Sequence, residues 1–193
     1  MKFPELKNLL EQECPGSVAR SLGESLLLER PSDLAQVAAC LKYNPQLRFD
    51  YLASVTGTDF IDFLEVLYHF YSMEKKTGPV VLRVRVKKDS ARVPSLVPLF
   101  RGAKLQEREV WDMLGIHFDG HPCLERLLMW EGFASFPLRK DFVQEDSEIL
   151  EMTDIRWLER HGVRIPDDLR KKAEDLEKTG GNAKAERPKP GAL

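Results

Sequence analysis

The chain has 193 residues, of which 29 are Lys or Arg and 31 are Asp or Glu, giving a formal net charge of -2. This near balance excludes a general electrostatic attraction to nucleic acid or to anionic lipid. The length and a hydrophobic fraction of 42% are sufficient for one globular domain with a substantial core and some extension.

The first fifty residues predict two helices with a pair of strands between them. Apolar side chains recur on one helical face over residues 3–13, which indicates the first helix. Residues 18–29 are expected to form two short strands around a turn at Gly23. Ser32 or Asp33 can cap the second helix. Its buried stripe would consist of Leu34, Val37, Ala38 and Leu41.

The middle of the chain predicts the main sheet. Phe49 to Val55 is typical of a strand, and Thr56 to Asp59 is expected to form a turn. Phe63 to Tyr71 is rich in the aromatic and β-branched residues that favour strands. From Val80 to Lys87, apolar residues alternate with mostly basic ones, as in an antiparallel strand with one face in water. Without a regular strand–helix alternation, the pattern indicates an α+β fold in which a mostly antiparallel sheet packs against helices.

A third helix is expected from Ala103 to Leu114, after an extended linker over Pro94 to Leu99. Gly115 would end this helix because glycine readily adopts the left-handed conformation that closes many helices. Together with the preceding elements, the helix completes the predicted α+β domain, which we assign to residues 1–145.

Residues 146–193 are predicted to form a C-terminal extension that docks on a partner. One helix is expected to begin at Thr153 or Asp154, and another at Pro166 with a narrow apolar stripe. Because short isolated helices are marginal in water, these two are expected to need a partner surface. The sequence after Gly180 lacks core-forming residues and is expected to be disordered alone.

The densest group of ionisable residues lies on the third helix, at Glu107, Arg108, Glu109 and Asp112. Glu109 and Asp112 share a face, and Arg108 reaches Asp112 one turn later. Buried carboxylates need cationic partners. The candidates are Arg126, Arg139 and Lys140. A paired-carboxylate active site and an ion-pair network that fixes a surface for another subunit remain open, and the absence of a nearby nucleophile or phosphate loop favours the network.

His117 and His121 lie four residues apart with Asp119 between them, a spacing that could bind zinc from a continuous helix. Gly120 and Pro122 indicate a loop instead, which would not align the two rings. Turn structure is therefore favoured over a metal site at these residues.

Other kinds of site find no support in the sequence. Neither a dinucleotide-binding nor a phosphate-loop motif is present. The cysteines are too widely spaced for zinc or an iron–sulfur cluster and are expected to be core residues in a reducing cytoplasm. The cysteines are Cys14, Cys40 and Cys123. Arg83, Arg85 and Lys87 form a basic strand face, for which solvent or protein contact is favoured over RNA because exposed aromatic residues do not alternate with them.

A long signature occupies the run from Glu107 to Phe142. Its residues are Glu107, Arg108, Glu109, Asp112, Gly115, Gly120, His121, Pro122, Arg126, Pro137, Arg139, Lys140 and Asp141. With this spacing, the run resembles the signature of the 30-kilodalton subunit family of respiratory complex I, known in bacteria as the C subunit of NADH-quinone oxidoreductase. The resemblance extends over about residues 20–145.

The resemblance implies a peripheral α+β subunit, on the cytoplasmic side of the inner membrane, in a proton-translocating NADH:quinone oxidoreductase. It implies packing against the 49-kilodalton (D) subunit and the iron–sulfur cluster-bearing B and I subunits, with no nucleic acid and membrane contact only through partners. No catalytic residue, metal ligand or cofactor site is implied in this chain, since partner subunits would hold FMN, the iron–sulfur clusters and quinone. The equivalent subunit of an energy-converting hydrogenase or of a ferredoxin- or F420-linked quinone reductase is the alternative.

Three residues depart from the family pattern. Glu125 stands where a basic residue or proline is usual, Leu105 where tryptophan is common, and Phe136 where histidine is frequent. Glu125 matters most because it reverses a charge at an expected contact.

The resemblance leads to the prediction that residues 107–142 form a docking surface. Four basic residues would bridge acids within and between subunits: Arg108, Arg126, Arg139 and Lys140. A charge swap such as Arg139→Glu is then expected to abolish assembly while the isolated domain still folds.

Overall fold

The computed structural model describes residues 3–133, 135–142 and 152–178. The chain divides into two units, Met1–Phe142 and Val143–Leu193. The predicted domain boundary between residues 145 and 146, and the disorder expected after Gly180, lie outside the described residues.

The first unit begins with two helices that flank a strand pair and then forms three long strands. These elements are α1 (Phe3–Glu13), β1 (Val18–Leu22), β2 (Ser25–Leu28), α2 (Leu34–Tyr43), β3 (Tyr51–Asp59), β4 (Phe63–Ser72) and β5 (Thr77–Lys87). Its second part contains β6 (Arg92–Pro94), α3 (Ala103–Leu114) and β7 (His117–Asp119). Short 3-10 helices span Pro31–Asp33 and Lys88–Ser90.

The main sheet has five strands in the order β1-β2-β5-β4-β3. All neighbours in it are antiparallel except β2 and β5, which run parallel. The predicted α+β fold with a mostly antiparallel sheet is therefore confirmed. A second sheet pairs β6 with β7 in parallel, so the predicted linker from Pro94 begins at the end of a strand instead.

The core lies between one face of the main sheet and the helices of the first unit. Alternate residues of β4 and β5 are buried, as the period of two predicts, including the fully buried Tyr68 and Phe70. Leu6 and Leu10 of α1 join the same hydrophobic cluster. The stripe predicted for α2 is buried at all four positions: Leu34, Val37, Ala38 and Leu41.

The turn predicted at Thr56 to Asp59 is wrong, because β3 continues through these residues and pairs with β4 as far as Asp59. Gly57 is present for a different reason. A Cβ atom at this position would lie 2.3 Å from Cδ1 of Leu114, so only glycine allows α3 to pack this closely on the strand.

The predicted side-chain cap of α2 is also wrong. Asp33 occupies the N-cap position, but its side chain accepts no hydrogen bond from the first turn of the helix. Its carboxylate instead accepts a 3.1 Å hydrogen bond from Nε of Arg30. The preceding 3-10 helix leads directly into α2 and leaves Asp33 itself in a helical conformation.

The second unit contains α4 (Met152–Arg160) and α5 (Asp167–Lys178) among its described residues. Both helices begin close to their predicted starts, and they contact each other. An ion pair of 3.3 Å joins Arg170 of α5 to Glu159 of α4. In the described parts of both units, no helix is long and apolar enough to cross a membrane.

Candidate functional site

The signature residues lie on α3 and on the segment that follows it. Gly115 caps α3 in the left-handed conformation with φ of 71°, and its N–H donates to the carbonyl of Trp111 at 2.8 Å. A Cβ atom at Gly115 would lie 2.5 Å from the ring of Phe136, so the absence of a side chain lets the returning segment pack against the helix end. The predicted end of α3 at Gly115 is thus confirmed.

Glu107 is completely buried and has no cationic partner among the described residues. Its Oε2 accepts a 2.6 Å hydrogen bond from Oγ of Ser95, and its Oε1 accepts one of 2.7 Å from the N–H of Leu96. Burial raises the pKa of Glu107 from 4.5 to about 7, against the lowering effect of both hydrogen bonds. Glu107 therefore ties α3 to the segment after β6.

Asp112 is the anchor of the segment after α3. Its Oδ2 accepts hydrogen bonds from three consecutive backbone N–H groups, those of Leu127, Leu128 and Met129, at 2.9, 2.7 and 2.9 Å. Its Oδ1 accepts one of 2.7 Å from Nη1 of Arg126. Burial alone would raise the pKa of Asp112, but these four donors hold it below its usual range.

Arg126 is enclosed by backbone oxygens and aromatic rings. Besides Asp112, its guanidinium donates to the carbonyls of Phe133 at 2.6 Å and Ser135 at 3.3 Å. The guanidinium also lies 5.5 Å from the ring centre of Trp111 and 5.4 Å from that of Phe136. The predicted partnership of Arg126 with a carboxylate of α3 is confirmed, and it is internal to this chain.

Two other predicted ion pairs are wrong. Arg108 does not pair with Asp112 but donates to the carbonyls of Glu125 at 3.0 Å and Arg126 at 2.8 Å. Arg139 donates from Nε to the carbonyl of Leu114 at 2.6 Å, at the carboxyl end of α3, where a cation is favourable. An Arg139→Glu swap would therefore disturb the fold as well as any docking.

Lys140 contributes to the site through its backbone N–H group. Its N–H donates to Oδ2 of Asp59 at 2.7 Å, and Nζ of Lys88 lies 2.6 Å from Oδ1 of the same carboxylate. Burial would raise the pKa of Asp59, but the Lys88 ammonium and the Lys140 N–H hold it below its usual range. Asp59 was not predicted to belong to this site, because its neighbours in the sequence are typical of a turn.

The three acids of α3 occupy different environments. Glu107 faces the core, Asp112 holds the following segment, and Glu109 is exposed. The structure therefore does not gather them around Arg108, as their spacing had predicted. The structure instead pairs Asp112 with Arg126 and places Gly115 next to the ring of Phe136.

The predicted loop around the two histidines is partly confirmed. His117 and Asp119 belong to β7, whereas Gly120 has a positive φ of 80° and His121 and Pro122 follow in the loop.

The ring of His121 uses both of its nitrogens. Nδ1 accepts from the N–H of Cys123 at 3.1 Å, which leaves Nε2 as the donor to the carbonyl of Lys104 at 2.9 Å. Both nitrogens are engaged, which favours turn structure over zinc binding. Within the described ranges, no group of three or more His, Cys, Asp or Glu could hold a metal ion.

Large apolar side chains of the signature segment are exposed, although the predicted contacts of this segment were all charged. They are Leu127 at 39%, Leu128 at 58%, Trp130 at 53% and Leu138 at 62% of their accessible surface. A signal was present in the sequence, since Leu127 to Trp130 form an apolar run in a segment with neither helical nor strand periodicity.

The three residues that depart from the family pattern differ in the contacts that they make. Phe136 packs on Gly115, and Arg139 lies 4.9 Å from its ring centre. Leu105 is exposed on α3. Glu125 contributes its backbone carbonyl to Arg108, while its side chain is exposed. The Glu125 side chain interacts with the Cys123 thiol and raises its pKa, whereas the backbone contact of Glu125 with Arg108 does not depend on the side-chain charge.

Comparisons with known proteins identify the same family that the signature residues resemble. The family model described as the 30 Kd subunit of respiratory-chain NADH dehydrogenase matches residues 28–148. The C subunit of NADH-quinone oxidoreductase from Roseiflexus sp. (strain RS-1) is 42% identical over 122 residues, which cover 62% of this chain and 70% of that protein. The C subunit of the Rhodobacter capsulatus enzyme is 37% identical over 150 residues, covering 73% of each chain.

Coverage of the relatives is incomplete: the match includes only 62% of the second C subunit from Rhizobium meliloti (strain 1021). Among solved structures, the trypsin-resistant fragment (1-134) of Nqo5 gives a TM-score of 0.50 at 27% identity, covering 62% of this chain and 98% of the fragment. A chain of an archaeal membrane-bound sulfane sulfur reductase shares the fold, with a TM-score of 0.57 at 20% identity over 86% of this chain and 94% of that one. Since the family model matches more than half of the residues, the chain belongs to the family of the 30 kDa subunit of respiratory-chain NADH dehydrogenase.

Proposed function

We propose that this chain is a non-catalytic peripheral subunit of a proton-translocating NADH:quinone oxidoreductase, in which it supports assembly and electron transfer. The observation that carries the proposal is that the signature residues make their contacts within this chain. Asp112, Arg108, Arg126 and Arg139 bond to each other or to backbone groups of the same chain, so they shape a surface. A shaped surface with exposed apolar side chains is typical of a docking subunit.

The partners proposed are the 49-kilodalton (D) subunit and the cluster-bearing B and I subunits, on the cytoplasmic side of the inner membrane. These partners would hold FMN, the iron–sulfur clusters and quinone together with the other subunits of the complex. The names of the relatives support an NADH-quinone machine, because they are subunits of NADH- or NAD(P)H-quinone oxidoreductases. The alternative machines, hydrogenases and ferredoxin- or F420-linked reductases, find no such support.

Deleting and restoring the gene in the native host tests this function. Membranes from the deletion strain should lack NADH-quinone activity, and a tagged full-length chain should restore it. The tagged chain should also purify from these membranes with NADH-, cluster- and quinone-binding subunits, identified by mass spectrometry. Full NADH-quinone activity in the deletion strain, or co-purification with hydrogenase subunits, would contradict the proposal.

A further inference from the structure

We propose that Leu127, Leu128 and Trp130 form an apolar ridge that inserts into a groove of a partner subunit, and that basic side chains on the rim of this groove meet Glu125 and Glu131. The inference rests on the proposed function, since it concerns how the chain docks within its complex. It transfers the docking role from the basic signature residues to the apolar side chains of Leu127, Leu128 and Trp130, which none of the predicted contacts included.

The backbone of the ridge is held by the carboxylate of Asp112. Three consecutive N–H groups point at Oδ2 of Asp112, which curves residues 127–129 around one carboxylate oxygen. With the N–H groups directed inward, the side chains of Leu127 and Leu128 are left 39% and 58% exposed. Because these three N–H groups already have an acceptor, burying the ridge against a partner leaves none of them unsatisfied.

Trp130 is held at the far end of the same turn. Its ring makes an edge-to-face contact with Phe133 at 4.7 Å between ring centres, yet 53% of the residue is exposed. Phe133 in turn lies 5.6 Å from the guanidinium of Arg126. A tryptophan supported in this way loses little conformational freedom on binding, and large aromatic anchors dominate the affinity of many interfaces.

The charges around the ridge determine the chemistry of its occupant. Glu125 and Glu131 are exposed at its two ends, and no ion pair involves either of them within the described residues. Of the two cations beside the ridge, Arg126 is neutralised by Asp112, and the guanidinium of Arg108 is engaged by the carbonyls of Glu125 and Arg126. The ridge therefore presents an apolar centre between two negative charges, which an apolar groove with Lys or Arg on both rims complements.

The test compares two ridge variants with two matched controls, each introduced as a full-length tagged chain into the deletion strain. One ridge variant removes the apolar anchors, Leu128→Ala with Trp130→Ala, and the other reverses the charges, Glu125→Lys with Glu131→Lys. Their controls are Ile61→Ala, at a residue that is 83% exposed, and Glu24→Lys, at an exposed turn. Thermal melting of each isolated full-length chain verifies that the variants fold.

The apolar variant should bind deletion-strain membranes about tenfold or more weakly than wild type, at low and at high salt. The charge-reversed variant should lose about tenfold at low ionic strength, with a smaller difference in high salt because screening removes the attraction. Both controls should bind like the wild type. All variants should melt within a few degrees of the wild type, because Asp112, Arg108 and Arg126, which hold the backbone of the turn, are unchanged in every variant.

Three outcomes would overturn the inference. Wild-type assembly by the apolar variant would show that the ridge does not dock, while the proposed function would still stand. Unchanged or improved binding of the charge-reversed variant would exclude a basic rim. A wild-type dimer in solution that Leu128→Ala with Trp130→Ala dissociates would mean that a second copy of this chain occupies the ridge. Failure of the proposed function would appear differently, as NADH-quinone activity without any copy of the chain.

Discussion

Glu107 is a buried carboxyl group in a setting that disfavours its charge. It accepts two hydrogen bonds, from Ser95 and Leu96, but no cation reaches it among the described residues. The hydroxyl of Tyr68 is also buried and finds no hydrogen-bond partner in the part of the chain that the structure describes. Burial raises the Tyr68 pKa, and the Glu107 charge raises it further. Ionising Glu107 thus costs folding free energy that the hydrogen bonds from Ser95 and Leu96 offset only in part.

Stability should therefore depend on pH through Glu107. Because its pKa is raised from 4.5 to about 7 in the folded chain, the folded state binds the proton more tightly than the unfolded state. The resulting stabilisation is complete below pH 4.5 and is lost as the pH rises through 7, a change of roughly 3 kcal/mol. Urea unfolding of the full chain at pH 5, 6, 7 and 8 measures it.

The variant Glu107→Gln provides the control for that experiment. Glutamine keeps an acceptor for the Leu96 N–H and cannot ionise, so its stability should vary little over the same pH range. Asp59 and Asp112 do not interfere, because their lowered pKa values place their titration below this range. Equal pH slopes for the wild type and Glu107→Gln would exclude Glu107 as the source of the dependence.

The enclosed guanidinium of Arg126 should not tolerate lysine. Lysine keeps the charge but cannot reach Asp112 and the carbonyls of Phe133 and Ser135 from one planar group. We expect Arg126→Lys to lower the free energy of unfolding by about 1–3 kcal/mol, as measured by urea titration. Arg92→Lys is the matched control, since Arg92 pairs with Asp119 at the surface, and it should change stability by less than about 0.5 kcal/mol.

At the scale of elements, the packing of α3 on β3 depends on the presence of a glycine at position 57. A Cβ atom at Gly57 would lie 2.3 Å from Cδ1 of Leu114 and 3.0 Å from Cγ1 of Val110. Gly57→Ala should therefore cost about 1–3 kcal/mol of stability through overpacking. Gly102→Ala is the control, because its Cβ would meet only the Leu52 carbonyl at 3.9 Å.

A double-mutant cycle shows whether the cost arises at this contact. Shortening Leu114 to alanine removes the atom nearest to the new Cβ, so Gly57→Ala should cost less in a Leu114→Ala background. The four unfolding free energies of the cycle measure the coupling. Additive costs would mean that Gly57 is needed for another reason.

The elements with strong local periodicity could be predicted from the sequence, and those fixed by distant contacts could not. α3 spans the predicted residues Ala103–Leu114, and β5 follows the predicted alternation. The predicted strand ended at Val55, four residues before the end of β3, because Gly57 is typical of a turn. The reason for this glycine is its contact with α3, which only the folded structure reveals. The parallel pairings of β2 with β5 and of β6 with β7 join segments far apart in sequence, which no local pattern specifies.

The candidate site shows the same limit. The resemblance identifies the signature residues, and the pairing of Arg126 with Asp112 follows from the need of a buried carboxylate for a cation. The partners of Arg108 and Arg139 are backbone carbonyls, which carry no sequence signal. The exposure of Leu127 and Leu128 depends on the direction of the N–H groups next to Asp112, which only the folded turn determines.

At the scale of the whole molecule, the two units should contribute differently to assembly. We expect truncation after Phe142 to leave the melting temperature of the first unit within about 3 °C of the full chain, because the residues of its hydrophobic cluster all precede Phe142. The existence of a trypsin-resistant fragment of the related Nqo5 supports this expectation. Differential scanning calorimetry of both chains measures the change.

The same truncation should lower the yield of the assembled complex, because Ile155 and Ala173 are the buried apolar residues among the described side chains of α4 and α5, and we propose that these helices lie on a partner. The amount of complex recovered from deletion-strain membranes with the truncated and the full-length chain measures this effect. A drop of about ten degrees or more in the melting temperature would instead make residues 143–193 part of the folded core.

The carboxylate of Asp112 recognises main-chain N–H groups at three consecutive residues and no side chain among them. Every residue except proline offers that N–H group, so the turn can keep its shape while the side chains at these positions change. Scaffold and specificity are thereby encoded at separate positions of the sequence. Asp112, together with Arg126 and Arg108, preserves the fold of the turn, and the side chains of the three residues that Asp112 holds can change with a partner surface.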